Sequence, residues 1–145
     1  MLQRFLAVCF IALSMVGCAS VKMEDAKQDA TAKQFQINPN KSGLYIYRNE
    51  SMGGAIKMDV TVDGKAIGQS AAKTYFFLEV EPGKHTITSK SENTDSLTLD
   101  TVAGKLYYVW QEVKMGFLFA RTKLSLMDEA TGKAGINESK LAASN

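Results

Sequence analysis

Few residues of this sequence belong to the types that carry out acid–base chemistry. His85 is the only histidine, and a hydrolytic triad would pair it with a serine nucleophile and a carboxylate. The chain contains no G-x-S-x-G sequence, the local context of such a serine in many hydrolases. His85 follows Pro82-Gly83 and shares its parity with Ile87, so we interpret it as a partly packed residue at a strand start. The sequence therefore predicts no catalytic residue.

Carboxylates are the second group of interest, and they are spread along the chain. A glycosidase needs two of them facing each other across a cleft, one with a raised pKa. Solvated turns and outward strand positions account for those present: Asp59, Asp63, Glu79, Glu81, Asp95 and Asp100. One histidine and no cysteine in the folded part predict no metal site. Gly104-Lys105 lacks the other residues of a phosphate loop, so we predict no cofactor.

The two cysteines, Cys9 and Cys18, lie in or beside an N-terminal apolar run. Arg4 gives this segment a positive start, and residues 5–16 are apolar except for one serine. As a helix the run spans about 18 Å, which is short of a hydrocarbon core of about 30 Å. Its length and flanks are typical of an export signal. The alternatives are an uncleaved anchor helix over residues 5–21 and an ordinary secretory signal.

The end of this run, Met15-Val16-Gly17-Cys18, resembles the bacterial lipobox, with Met15 where leucine is usual. The resemblance implies a signal peptide over residues 1–17, cleavage between Gly17 and Cys18, and a diacylglycerol on the Cys18 thiol. Two or three acyl chains hold a protein to a membrane permanently. Ala19 in place of aspartate implies the outer membrane. We therefore expect a protein of the bacterial cell envelope that is attached to the membrane through Cys18 and faces the periplasm.

The charges argue against one class of partner. The chain has 17 Lys and Arg against 15 Asp and Glu, a formal net charge of +2, and no block of like charge. A nucleic-acid binder needs a concentrated basic surface to neutralise phosphates. We predict no nucleic-acid partner, and membrane attachment through acyl chains rather than through a charged patch.

Four segments organise the chain. Residues 1–17 are the signal, and residues 18–41 are the lipidated N-terminus, a tether and a short helix. Helix formers and the order of charges favour that helix over Met23–Phe35, docked through Ala26, Ala30 and Phe35. Residues 42–128 are the β-domain. Residues 129–145 are a polar tail with a short helix at Asn137–Ala142.

In the β-domain the apolar residues recur with a period of two. Leu44 and Ile46 alternate with Tyr45 and Tyr47. Asp63-Gly64 is a strong hairpin signal, and we interpret the Gly-Lys pairs at 64–65, 83–84 and 104–105 as hairpin turns. Further strands are predicted at 58–62, 76–80, 85–90, 96–102 and 106–113, with 118–120 and 123–127 as a closing pair.

This pattern predicts an all-β fold, a small antiparallel β-sandwich of about seven to nine short strands. The sandwich would carry a short N-terminal helix and a polar, partly helical C-terminal tail. Four stretches resemble one family: L-Y-I-Y-R at 44–48, V-x-V-D-G-K-x-I-G at 60–68, Y-F-x-x-E-V-x-P-G-K-H-T at 75–86 and S-L-T-L-D-x-x-A-G-K-x-Y-Y at 96–108. That family is the bacterial lipoprotein family of domain of unknown function 2846 (DUF2846). The resemblance implies an immunoglobulin-like or PEGA-like sandwich on an envelope lipoprotein, and it implies no activity and no catalytic residues.

Two apolar features bear on where a partner would bind. Six aromatic residues lie on strands that already have an apolar inner face: Tyr45, Tyr47, Tyr75, Phe77, Tyr107 and Tyr108. Cover by the N-terminal helix is the favoured interpretation, and an exposed platform for glycan or peptide is the alternative. The most apolar stretch of the domain is 115–120, which is either a buried edge strand, the favoured interpretation, or an exposed loop. If it is exposed, the residues in contact with a membrane or partner would be Met115, Phe117, Leu118 and Phe119.

Together these observations favour a non-enzymatic binding or structural module. Its partner would be an envelope protein or the cell wall. The alternative function is an envelope hydrolase that acts on glycans or lipids.

Overall fold

Two β-sheets pack face to face in the computed structural model, which describes residues 20–51 and 56–145. The predicted signal peptide, the cleavage position at Gly17 and the lipid-attachment residue Cys18 lie outside the described residues. No helix in the described ranges is long and apolar enough to cross a membrane. The elements are α1 (Ala26–Ala32), β1 (Ser42–Arg48), β2 (Met58–Val62), β3 (Lys65–Ser70), β4 (Thr74–Val80), β5 (Gly83–Lys90), β6 (Thr94–Thr101), β7 (Leu106–Met115), β8 (Ala120–Met127), α2 (Glu129–Asn137) and β9 (Lys140–Leu141).

The prediction of an all-β sandwich is confirmed. One sheet has the strand order β8-β7-β1-β4-β9 and the other β3-β2-β5-β6. Most neighbours are antiparallel, but β1 pairs with β7, and β4 with β9, in parallel. The sequence does not indicate these two pairings, because each joins strands that are far apart along the chain. The predicted closing pair at 118–120 and 123–127 is wrong, since one continuous strand, β8, covers residues 120–127.

The turns follow the local sequence, although their roles differ. Asp63 and Gly64 both have positive φ, 52° and 79°, and close the β2–β3 hairpin as predicted. Gly83 and Gly104 also have positive φ, 136° and 77°. These two glycines lie where the chain passes between the two sheets, from β4 to β5 and from β6 to β7. The interpretation of all three Gly-Lys pairs as hairpin turns is therefore right only at Gly64.

The space between the sheets holds the main apolar core, including Leu44, Ile46, Val60, Phe76, Ile87 and Val109. Tyr45 and Tyr47 point to the opposite face of β1, and they are buried as well. The Tyr45 ring stacks on Phe77 at 4.5 Å and on Tyr108 at 5.5 Å between centroids. Both helices cover this layer, so the alternative of an exposed aromatic platform is wrong for these tyrosines.

Helix α1 is shorter than predicted and docks through a different residue. It begins after Asp25, whose carboxylate accepts the Gln28 N–H at 2.8 Å, an N-cap. Ala32 is buried against the sheet, whereas the predicted docking residues Ala26 and Ala30 are exposed. Phe35 does pack on the sheet as predicted, with its ring 5.4 Å from that of Tyr45.

The C-terminal helix lies earlier than the predicted 137–142. Helix α2 covers Glu129–Asn137, and β9 then pairs with β4. A Cβ at Gly132 would overlap the ring of Tyr108, and one at Gly135 the ring of Tyr47. The glycines that make this segment look like a loop in the sequence are what allow the helix to lie close against the aromatic layer.

The N-terminal segment is joined to this C-terminal segment. The Ala143 N–H donates to the carbonyl of Lys22 at 2.9 Å, and the Glu24 N–H to the carbonyl of Leu141 at 3.0 Å. The chain is therefore hydrogen-bonded to the domain from Lys22 onward.

Candidate docking surface

The hairpin loop between β7 and β8 carries four exposed apolar side chains. Met115 is 86% exposed, Phe117 94%, Leu118 75% and Phe119 72%, while the neighbouring Ala120 is buried. We call residues 115–119 the apolar tip. The favoured interpretation of residues 115–120 as a buried edge strand is wrong, because the strands turn at this point.

The apolar tip stands at the end of a two-stranded ribbon. The pairing of β1 with β7 ends at Tyr47 and Trp110, whereas β7 and β8 stay paired up to Met115 and Ala120. The part of β7 after Trp110 therefore extends beyond β1 and pairs only with β8. The Val113 N–H, which β1 does not reach, donates instead to the Glu50 carboxylate at 2.7 Å.

The carboxylate of Glu92, in the turn between β5 and β6, holds the apolar tip in shape. It accepts the N–H groups of three consecutive residues, Phe117 at 2.9 Å, Leu118 at 2.6 Å and Phe119 at 2.5 Å. These hydrogen bonds, chiefly the one from Phe119, hold the pKa of Glu92 below its ordinary value. The Gly116 N–H donates to the Phe119 carbonyl at 3.3 Å, so all four N–H groups of residues 116–119 have a partner.

The turn between β5 and β6 also forms hydrogen bonds with β8, next to the apolar tip. The Ser91 hydroxyl donates to the Ala120 carbonyl at 2.7 Å. The Asn93 side chain bonds Thr122 twice, donating to its carbonyl at 2.9 Å and accepting its N–H at 2.7 Å. Because these contacts join the two sheets, both sheets support the apolar tip.

A buried cluster supports the apolar tip from below, and charged residues surround it. Met58, Val113 and Ala120 pack together, with Ile56 against them. Lys114 and Arg121 lie directly opposite each other in the β7–β8 register, one step below the apolar tip. Each has an acidic neighbour, since the Lys114 Nζ lies 3.6 Å from a Glu112 carboxylate oxygen and the charge of Arg121 helps to lower the pKa of Glu92.

A shallow cleft of about 360 Å³ lies beside Phe119 and Glu92. Lys57 and Lys90 line it together with two acidic residues, Asp59 and Glu92. The surroundings of the apolar tip therefore carry both positive and negative side chains.

The only histidine is held by two acceptors. Its Nδ1 lies 2.6 Å from an Asp63 carboxylate oxygen, and its Nε2 lies 2.5 Å from the Glu81 carbonyl. Burial lowers the pKa of His85, but these two hydrogen bonds outweigh it and raise the pKa above its ordinary value. A ring with both nitrogens donating is a protonated imidazolium, which is not a proton acceptor. The prediction of a partly packed His85 at a strand start agrees with this geometry.

Other carboxylates singled out in the sequence also have structural partners. Asp63 accepts the Thr86 N–H at 2.8 Å, Asp95 the Leu124 N–H at 2.8 Å and Asp59 the Gln69 amide at 2.9 Å. Within the described ranges, no group of three or more His, Cys, Asp or Glu side chains is arranged to hold a metal ion.

Neither Glu92 nor Asn93 stands out in the sequence, where residues 91–95 indicate only a turn. The contacts of Glu92 with the apolar tip span 25 to 27 residues of sequence. No local signal marks such a partnership, since an acidic residue in a turn is ordinarily a solvated one.

Comparison with known proteins gives a family and no activity. The chain matches the family described as "Protein of unknown function (DUF2846)" over residues 38–122, a span that includes both Glu92 and the apolar tip. It is also similar to an "Uncharacterized protein" of Haemophilus influenzae, with 38% identity over 138 residues, covering 93% of this chain and 82% of that protein. The predicted family is confirmed: the chain belongs to the DUF2846 family of proteins of unknown function.

Proposed function

We propose that this protein is a lipid-anchored, non-enzymatic binding module of the bacterial cell envelope that faces the periplasm and docks through the apolar tip. The lipobox resemblance at residues 15–18 supports the anchor on Cys18, and Ala19 supports the outer membrane. The observation that carries the docking role is the exposure of four apolar side chains on a loop whose backbone is fixed by Glu92. A protein gains no stability from keeping Phe117 and its neighbours in water.

The geometry of the ionisable groups supports a binding role over hydrolysis. His85 is hydrogen-bonded through both nitrogens. Three of the carboxylates weighed as catalytic candidates, Asp59, Asp63 and Asp95, bond backbone or amide groups. A hydrolase would require at least two ionisable side chains that converge on a cleft with free proton-transfer atoms.

The anchor is tested by replacing Cys18 with serine. We expect the variant to lose metabolic labelling with palmitate and to accumulate as a longer, unprocessed precursor. Normal processing of the variant would refute the lipoprotein assignment and favour an ordinary secretory signal or an uncleaved anchor.

The docking role is tested with a photo-crosslinking amino acid at position 117, introduced into the full chain and activated in intact cells. We expect adducts, whether to protein or to lipid, at 117. The control is the same residue at position 102, where Val102 is also exposed but lies next to the end of β6, away from the apolar tip. Equal adduct yields at 117 and 102 would refute docking through the apolar tip.

A further inference from the structure

We propose that the apolar tip inserts into the phospholipid bilayer that carries the anchor, so that the domain is held against one leaflet at two points. This inference rests on the lipid anchor proposed above and names the partner of the docking surface. Four observations support it: the position at which the chain joins the domain, the side of the sandwich on which this happens, the pairing of the backbone, and the charges around the apolar tip.

The first observation is the short connection to Cys18. The chain is hydrogen-bonded to the domain from Lys22, whose carbonyl accepts the Ala143 N–H. Four residues from Cys18 to Lys22 reach at most about 14 Å when extended. With the acyl chains of Cys18 in the bilayer, the surface of the domain around Lys22 lies at the headgroups.

The second observation is that this junction and the apolar tip lie on the same side of the sandwich. Ser20 and Val21 border one cleft, and Phe119 borders another. Lys57, directly before β2, lines both clefts. Because Lys57 borders both clefts, the junction and the apolar tip are neighbours on the surface, and an anchored N-terminus keeps the apolar tip close to the same membrane.

The third observation is the pairing of the backbone. A loop that enters hydrocarbon leaves water, and each unpaired N–H then costs several kcal/mol. The N–H groups of residues 116–119 are all paired inside the protein, three of them with Glu92. The loop can therefore leave water without an unpaired N–H, while the ionised Glu92 carboxylate stays at the headgroups.

The fourth observation is the charge below the apolar tip. Lys114 and Arg121 face each other across the ribbon at the level where headgroups would lie. Beside Phe119, Lys57 and Lys90 lie together with Asp59 and Glu92. Basic residues at the headgroup level are attracted to anionic lipids. Anionic lipid would therefore attract Lys114 and Arg121 at this level of the ribbon.

The experiment measures the surroundings of a label on the apolar tip. The processed, lipidated protein has no free thiol, because Cys9 leaves with the signal and Cys18 is a thioether. We would introduce Phe117→Cys, attach a polarity-sensitive fluorophore and reconstitute the protein into vesicles of phosphatidylethanolamine and phosphatidylglycerol. Val102→Cys, labelled in the same way, is the matched control. We expect a blue shift of the emission at 117 and a loss of intensity when nitroxide is placed on the acyl chains, with neither change at 102.

A second labelling site guards against an effect of the label or of the lost phenyl ring. With the fluorophore at Met115→Cys, we expect the same blue shift, and we expect Phe117→Asp in that background to abolish it. Retention of the shift in the Phe117→Asp variant would overturn the proposal.

The outcomes separate this inference from the proposed function. If Cys18 carries lipid but the emission at 117 does not shift in vesicles, the proposed anchor is retained and bilayer insertion is overturned. A shift seen only in native envelope membranes, and not in pure lipid, identifies a protein partner and also overturns it. Absence of lipid on Cys18, read by mass spectrometry of the same preparation, refutes the proposed function itself.

Discussion

The carboxylate of Glu92 accepts the backbone N–H of Leu118 at 2.6 Å, across 26 residues of sequence and from one sheet to the other. We predict that Glu92→Gln loosens the apolar tip without unfolding the domain, because the glutamine amide presents one acceptor oxygen in place of two. Hydrogen exchange at residues 117–119 should become fast, while the amides of β1 keep their protection. Glu79→Gln, at an exposed position of β4, is the control and should leave hydrogen exchange unchanged both at residues 117–119 and in β1.

The same contact makes the apolar tip sensitive to acid. Since the pKa of Glu92 is lowered in the folded protein, its stabilising effect is present above its ordinary value of 4.5 and is lost as the pH falls through the lowered value. Exchange at residues 117–119, corrected for its intrinsic pH dependence, should therefore rise in acid before the core amides open. Equal protection of the apolar tip in wild type and Glu92→Gln would contradict this role of Glu92.

Exposure and burial of phenylalanine give a second prediction. Phe117 is 94% exposed and Phe76 is 1% exposed. We expect Phe117→Asp to change the free energy of unfolding by no more than about 0.5 kcal/mol and Phe76→Ala to lower it by about 3–5 kcal/mol. Urea unfolding of both variants measures the difference. A large loss in Phe117→Asp would mean that the apolar tip belongs to the core.

The glycines of α2 give a third prediction, in which packing opposes helix propensity. Alanine is a better helix former than glycine by about 1 kcal/mol, but a Cβ at Gly132 would overlap the ring of Tyr108. We expect Gly132→Ala to destabilise the protein by about 1–3 kcal/mol. Ala134→Gly, at an exposed position of the same helix, should cost only the propensity difference. Stabilisation by Gly132→Ala would show that α2 does not lie close to the sheet in solution.

The strands could be predicted from the sequence because their signals are local. The alternation around Leu44 and Ile46 and the Asp63-Gly64 turn depend on neighbouring residues, and the structure agrees with both. The parallel pairing of β1 with β7 could not be predicted, because no local pattern specifies which distant strand lies beside β1. The helix at Gly132 and Gly135 could not be predicted for a related reason, since these glycines pack against tyrosines from distant strands.

The candidate site was predicted only in part. The apolar character of residues 115–120 was evident in the sequence, but exposed loops and buried edge strands share that character. What decides between them is the turn at 116–119 and its support by Glu92, a contact between two sheets. The resemblance to DUF2846 added the family and no information on this point.

The pair of His85 and Asp63 gives a prediction of pH dependence. The pKa of His85 is raised in the folded protein, and that of Asp63 is lowered by hydrogen bonds from His85 and Thr86. The stabilisation from the raised histidine pKa is fully present below about pH 6.5, the unfolded value, and is lost as the pH rises through the folded value. We expect His85→Gln to cost about 1 kcal/mol at about pH 5.5 and less at about pH 9. A cost that is the same at both pH values would show that the histidine is not protonated in this pair.

The hydroxyl of Tyr75 donates to the Asp29 carboxylate at 2.7 Å and gives the last prediction, because this contact ties α1 to the sheet. The same carboxylate accepts the Leu141 N–H at 3.1 Å and pairs with Lys33 at 3.0 Å. We expect Asp29→Asn and Tyr75→Phe each to destabilise the protein, with a coupling of about 1–2 kcal/mol in a double-mutant cycle. Tyr107→Phe, whose hydroxyl instead accepts the Val102 N–H, should be additive with Asp29→Asn.

Acid should remove this coupling. Burial raises the pKa of Asp29, but the bonds from Tyr75, Lys33 and Leu141 outweigh it and hold the pKa below its ordinary value. The coupling is therefore present above 3.8 and is lost as the pH falls through the lowered value. Asp29 also bonds β9, and Glu24 is hydrogen-bonded to Leu141 of that strand. Loss of the coupling should therefore release the N-terminal segment around Glu24 from the domain. Faster exchange at Glu24 in Asp29→Asn, measured on the same samples, tests this link. Unchanged exchange there would show that β9 alone holds the N-terminal segment in place.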